Sequence, residues 1–189
     1  SLLMLEKVFN EKNKIKLVIY GLIPHHEIRN TAAGSWMYLL NFFSKRGFVS
    51  LPYGSVDKNK NLIKNKPIEY ITLPLGKVSA LVAKIEKRIM KVRSLFREKK
   101  QTEISLAIIN EMNKLSLKNN SKFVLLILDE FYDNRSNEYY SFLKNKNIPY
   151  IKCLIPKGQK YGVPGDGHPN KLSHGEIGEC INQKLKLNS

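Results

Sequence analysis

Two hydrophobic periods share this chain. The runs Lys16-Leu17-Val18-Ile19-Tyr20-Gly21 and Phe123-Val124-Leu125-Leu126-Ile127-Leu128 are unbroken apolar stretches, the pattern of strands buried on both faces of a parallel sheet. Most of the remaining chain repeats apolar residues at helical spacing. The predicted order is helix 2–12, strand 15–21, a loop, helix 34–46, an irregular segment 47–75, helix 76–98, helix 103–118, strand 122–129, helix 136–146, strand 149–155, a second loop and helix 170–185. Ile104, Leu106, Ile108, Ile109, Met112 and Leu115 supply the apolar face of helix 103–118. In helix 170–185, Ile177, Cys180 and Ile181 form the buried stripe, while Gly175 and Gly178 permit close packing on the sheet. Strands that alternate with helices predict one α/β domain over 1–189: a three-layer sandwich whose mostly parallel sheet is covered by helices on both faces.

The segment 47–75 breaks the alternation. Phe48-Val49-Ser50-Leu51-Pro52-Tyr53, a turn at Asp57-Lys58-Asn59-Lys60-Asn61 and an extended Ile68-Glu69-Tyr70-Ile71-Thr72-Leu73 read as a β-hairpin-like insertion beside the sheet.

Chemistry concentrates in Val163-Pro164-Gly165-Asp166-Gly167-His168-Pro169-Asn170, a loop placed just before the last helix. Gly165 and Gly167 let the backbone turn, and Pro169 suits a first helical turn. Residues two apart in extended backbone project to one side, so Asp166 reaches one imidazole nitrogen of His168 and leaves the other for a substrate. A histidine held in this way serves as general base for a hydroxyl nucleophile. The bland alternative is an Asp that only caps the helix.

This block resembles the last motif of the SGNH hydrolases, the GDSL-type esterases and lipases, in which Asp and His of a Ser-His-Asp triad precede a Pro and the final helix. The resemblance implies an SGNH/flavodoxin-like fold, no cofactor, Asp166 as orienting acid and His168 as base. The commonest pattern has two residues between Asp and His; this chain has Gly167 alone, a spacing found in acyltransferase-like branches.

A second block agrees. The strand 15–21 empties into Leu22-Ile23-Pro24-His25-His26-Glu27-Ile28-Arg29-Asn30, and open α/β sheets place their sites at the carboxyl ends of strands. It looks like the third SGNH motif, whose Asn donates its amide to the oxyanion. The usual Gly-x-Asn-Asp wording is absent. The resemblance gives Asn30, with His26 and Arg29 beside it, to oxyanion and substrate binding; one such donor contributes roughly 3–4 kcal/mol in comparable sites. A metal held by His25, His26 and Glu27 with Asp166 and His168 is a weaker reading, because no His-x-x-x-His or Cys-x-x-Cys spacing accompanies them, and no metal is expected.

SGNH enzymes place the nucleophilic Ser after their first strand, ahead of the Asn motif. Here Ser1-Leu2-Leu3-Met4-Leu5-Glu6-Lys7-Val8-Phe9 reads as an amphipathic helix, and no Gly-Asp-Ser-like block precedes the Asn-bearing strand. The resemblance implies that the chain is the C-terminal part of such a domain, with its nucleophile upstream. Ser35, in Ala32-Ala33-Gly34-Ser35-Trp36, is the internal substitute, although its context reads first as a helix N-cap. The substrate class that follows is a small-molecule or glycan-linked O-acyl ester, cleaved by an ester hydrolase or passed on by an O-acyltransferase. A non-catalytic, basic α/β binding module is the alternative from another class.

Composition bounds the remainder. With 189 residues and 42% hydrophobic content the chain buries a full core. No signal peptide is read in it, which makes a cytoplasmic location the default expectation. Cys153 and Cys180 read as buried thiols and not as a disulfide framework. The net charge of +16 invites nucleic acid, but the lysines are spread along the chain amid abundant Asn and Ile, a composition typical of AT-rich coding sequence, and no nucleic-acid motif accompanies them. One stretch is denser. Lys77 to Lys100 carries Lys84, Lys87, Arg88, Lys91, Arg93 and Arg97 around Val78, Leu81, Val82, Ile85, Ile89, Val92 and Phe96. This basic amphipathic helix is able to lie on an anionic membrane or polymer surface, although its simplest reading is a core-facing helix with a solvated basic side.

Overall fold

A computed structural model describes residues 1–11, 14–44, 48–131, 133–166 and 168–186. Lys12, Lys45 to Gly47 and Gly167, which fall within predicted elements or the predicted site loop, lie outside the described residues. In chain order the elements are α1 (Leu2–Glu11), β1 (Leu17–Leu22), α2 (His26–Asn30), α3 (Gly34–Phe43), β2 (Ser50–Val56), β3 (Leu62–Glu69), α4 (Ala80–Glu98), α5 (Gln101–Lys118), β4 (Lys122–Ile127), α6 (Arg135–Asn145), β5 (Tyr150–Lys152), a 3-10 turn (Gln159–Tyr161) and α7 (Lys171–Lys186). The chain is α/β, with a three-stranded parallel sheet ordered β1-β4-β5 and a separate antiparallel pair β2-β3. It forms two compact units, one of Ser1–Pro24 with Met112–Ser189 and the other of His25–Glu111.

The first unit holds the parallel sheet. β1 and β4 run in register from Leu17 opposite Lys122 to Leu22 opposite Ile127, and β5 pairs β4 from Leu125–Tyr150 to Ile127–Lys152. The β4 run is apolar because it is the central strand: Phe123, Leu125, Leu126 and Ile127 are buried. β1 is an edge, and its Leu17 and Ile19 are exposed. Asn120 and Asn147, both at positive φ, end the helices that lead into β4 and β5, a conformation Asn tolerates better than most residues. α7 packs Cys180, Ile181 and Leu185 against Leu126, Ile151 and Cys153.

Two expectations for this region are corrected. Cys153 and Cys180 are joined in a disulfide, their Cα atoms 5.8 Å apart, because α7 lies against the end of β5 and brings residues 27 apart in sequence within bridging range. On the chain-entropy account a ring of this size stabilises the fold by about 3–4 kcal/mol. Gly175 and Gly178 face open space, so neither makes the close approach to the sheet read from the sequence.

The second unit centres on Ala32, Met37, Val49, Tyr70 and Met90. Its hairpin turns where the Asp-Lys-Asn-Lys-Asn run lies: Asp57 Oδ1 accepts the N–H groups of Asn59 and Asn61, each at 2.8 Å. The pairing slips between Leu51 and Tyr53, at Pro52, which has no N–H to offer the ladder. α3 crosses α4 so closely that a Cβ on Gly34 would lie 2.7 Å from the Met90 carbonyl oxygen.

The expected core-facing stripe of α4 is also corrected. The helix turns Glu86, Met90 and Ser94 inward and leaves Leu81, Ile85, Val92 and Phe96 exposed. The reason is capping. Ser94 Oγ and Glu98 Oε1 each accept the Gly34 N–H at 3.0 Å, completing the start of α3, where the N-cap residue Ala33 has no side-chain acceptor. Arg97 donates from Nε to the Thr31 carbonyl at 2.9 Å and from Nη2 to the Ala32 carbonyl at 3.3 Å, just past the end of α2. Glu86 accepts the Leu73 N–H at 2.6 Å and the Tyr70 hydroxyl at 3.4 Å.

Candidate functional site

The Asp166–His168 loop leaves the carboxyl end of the parallel strand β5 and returns through a single antiparallel bridge, Gly162 to Pro169. Four hydrogen bonds brace it. The Val163 N–H donates to the His168 carbonyl at 2.8 Å, and the Asp166 N–H donates to the Val163 carbonyl at 3.2 Å, with Gly165 at φ +79° making the turn. Asn170 then ties the two limbs together: its Nδ2 donates to the carbonyls of Lys160 at 2.7 Å and Gly162 at 3.2 Å. Its Oδ1 accepts the Ser173 N–H at 3.2 Å, which makes it the N-cap of α7. Pro169 therefore sits in the bridge ahead of the cap and not in the first helical turn.

Asp166 Oδ1 accepts the backbone N–H of His168 at 2.9 Å and also meets its Nδ1 within hydrogen-bond reach. These bonds, the side-chain one foremost, hold the Asp166 carboxyl below the usual carboxylate range. A carboxylate on Nδ1 favours the tautomer in which Nε2 is unprotonated and basic. The pair is open to solvent, with side-chain exposures of 52% for Asp166 and 80% for His168. Asp166 and Pro169 line an open cleft of about 720 Å³, together with Lys157, Tyr161 and Val163. An oriented base beside an open cleft can take a proton from a hydroxyl presented to it.

His26, Arg29 and Asn30 belong to the other unit and lie on α2, a helix in the stretch read as loop. Asn30 Nδ2 donates to Ser105 Oγ at 2.9 Å. The Arg29 guanidinium covers the Trp36 ring at 4.6 Å, and His25 meets the same ring edge-on at 5.0 Å. His26 is half-buried, and burial first, then the neighbouring Arg29 and His25, pushes its pKa down to about 4. It is a neutral imidazole at physiological pH. Glu27 is buried and accepts the Thr102 hydroxyl at 2.9 Å.

Ser35 is exposed inside the first turn of α3, whose N-cap is Ala33, so the expected capping role is not the one it has. Among the described residues no group of three or more His, Cys, Asp or Glu is arranged to hold a metal. Asp129 and Glu130, at the end of β4, are spent locally: Asp129 accepts the Glu130 N–H at 2.9 Å, and Glu130 pairs with Lys152. Reading the sequence missed Asn170 as the residue that fixes the loop; its signal was an Asn directly before the final amphipathic run. Compared with family models, curated proteins and solved structures, the chain matches none.

Proposed function

We propose that this chain carries the acid–base pair of an SGNH-type serine ester hydrolase acting on an O-acyl ester, in a three-layer sandwich of flavodoxin-like order. The observation that supports it most is the double hold of Asp166 on His168, through backbone N–H and Nδ1, in a loop braced by Asn170 after a parallel strand. In this reading Asp166 orients the imidazole, and His168 Nε2 takes the proton of a seryl hydroxyl as that oxygen attacks the ester carbonyl. The same nitrogen returns the proton to the departing alkoxide, and a water then repeats the cycle on the acyl-enzyme. The nucleophile belongs to a strand N-terminal to β1, and the edge position of β1, with Leu17 and Ile19 exposed, is compatible with such a neighbour. Transfer of the acyl group to a sugar hydroxyl instead of water uses the same residues.

The second reading, a non-catalytic basic binding module, draws on Asn30, whose amide is already engaged by Ser105. The two are separated by treating the protein from its native source with a serine-directed fluorophosphonate and following p-nitrophenyl acetate hydrolysis. Labelling and turnover that fall about 10³-fold or more in His168→Ala are expected, the order of loss seen when a triad base is removed. Labelling that is absent, or unchanged by His168→Ala, overturns the hydrolase reading.

A further inference from the structure

We propose that the outward face of α4 is a docking surface for an anionic phospholipid bilayer. The helix has two acidic residues, Glu86 and Glu98, and both are committed inward, to Leu73 and Tyr70 and to Gly34 and Ser94. The outer surface is left with cations and no carboxylate: Lys84, Lys87, Arg88, Lys91 and Arg93 are all exposed. Beside them Leu81, Ile85, Val92, Leu95 and Phe96 are exposed, Phe96 at 82%. At 3.6 residues per turn these five fall within one strip about 100° wide, with Arg88 inside one edge of it and Lys84 and Lys91 along that flank; Lys87 lies further round, its ammonium over the Tyr38 ring at 5.2 Å. Such a strip of large side chains turned to water is unusual for a helix whose opposite face is buried.

Charge and shape together select the occupant. A nucleic acid or other polyanion neutralises the lysines but leaves the apolar strip in water. A second copy of a chain of net charge +16 brings like charge against like. A single helix-binding groove covers one ridge, whereas exposed apolar side chains also occur in the segment before the helix, at Leu75 and Val78. A broad apolar surface rimmed by lysines matches the boundary between acyl chains and anionic headgroups, where apolar side chains insert and Lys ammonium groups meet phosphate. The inference is independent of the hydrolase reading.

The test is sedimentation of the intact protein with vesicles of phosphatidylcholine alone and of phosphatidylcholine with phosphatidylserine. Binding to the anionic vesicles only is expected. Each basic residue near such a surface contributes about fivefold in partitioning, so Lys84→Glu/Arg88→Glu/Lys91→Glu is expected to lower it by about 100-fold or more. Leu81→Ser/Phe96→Ser is expected to lower it about tenfold or more, by removing the inserted apolar area. Circular dichroism melts that match the parent's check that both variants fold. The proposal is overturned by equal binding to both vesicle types, by binding that Leu81→Ser/Phe96→Ser leaves unchanged, or by an anionic-vesicle affinity no greater than that for heparin. Self-association abolished by Phe96→Ser overturns it in favour of a second copy.

Discussion

α4 and α5 follow one another in the chain, 19 and 18 residues long, and both carry large apolar residues at helical spacing. They bury opposite kinds of surface. α5 turns Ile104, Ile108, Ile109 and Met112 inward, as the pattern predicts, whereas α4 turns Glu86, Met90 and Ser94 inward and leaves Leu81, Val92 and Phe96 outside. The difference lies in what each helix packs against. The ends of α2 and α3 present backbone carbonyls and an N–H with no partner in their own helices, and Arg97, Ser94 and Glu98 supply those partners. An unsatisfied buried backbone group costs about 1–3 kcal/mol, comparable to the gain from burying one apolar side chain, so a helix that caps others can turn its polar face inward. The lesson is that periodicity identifies an amphipathic helix without saying which face is inner.

Substitutions that sharpen this contrast begin with the largest. Ile109→Ala removes a side chain that is 1% exposed and is expected to lower unfolding stability by about 3–4 kcal/mol, read from urea denaturation; a loss under about 1 kcal/mol would place Ile109 outside the core. Ser94→Ala removes one of the two acceptors on the Gly34 N–H and is expected to destabilise by about 1–2 kcal/mol, with Glu98 retaining the other bond. Should it prove neutral, capping would not be what orients α4. Phe96→Ser is expected to shift stability by no more than about 0.5 kcal/mol, since the ring is exposed in the folded protein as in the unfolded chain. A melting temperature that drops as far as for Ile109→Ala would show that this face is covered.

Strands were legible as apolar runs, β4 because it is central and buried and β1 although it is an edge with Leu17 and Ile19 exposed, and the hairpin was legible through its Asp-Asn turn. The Asp166–His168 contact was legible because it is local, two residues apart across a turn. Contacts between distant segments were not. The Cys153–Cys180 bond depends on where α7 lands on the sheet, and the engagement of Asn30 with Ser105 spans 75 residues. α2 is five residues long, too short for any period to show. Asn170 was legible only as a helix cap, by its place before the final amphipathic run; its bonds to the Lys160 and Gly162 carbonyls were not.

The disulfide has a topological consequence. Because Cys153 precedes the Asp166–His168 loop and Cys180 follows it, the loop is part of a closed covalent ring. Lys157 and Lys160 are exposed within that ring, on the limb before the acid–base pair. A trypsin nick after either one adds a water to the mass but releases nothing, because α7 remains tethered to β5 until a thiol reductant opens the bridge. A cut there can therefore free the limb that carries Asp166 and His168 while the protein still migrates as one piece.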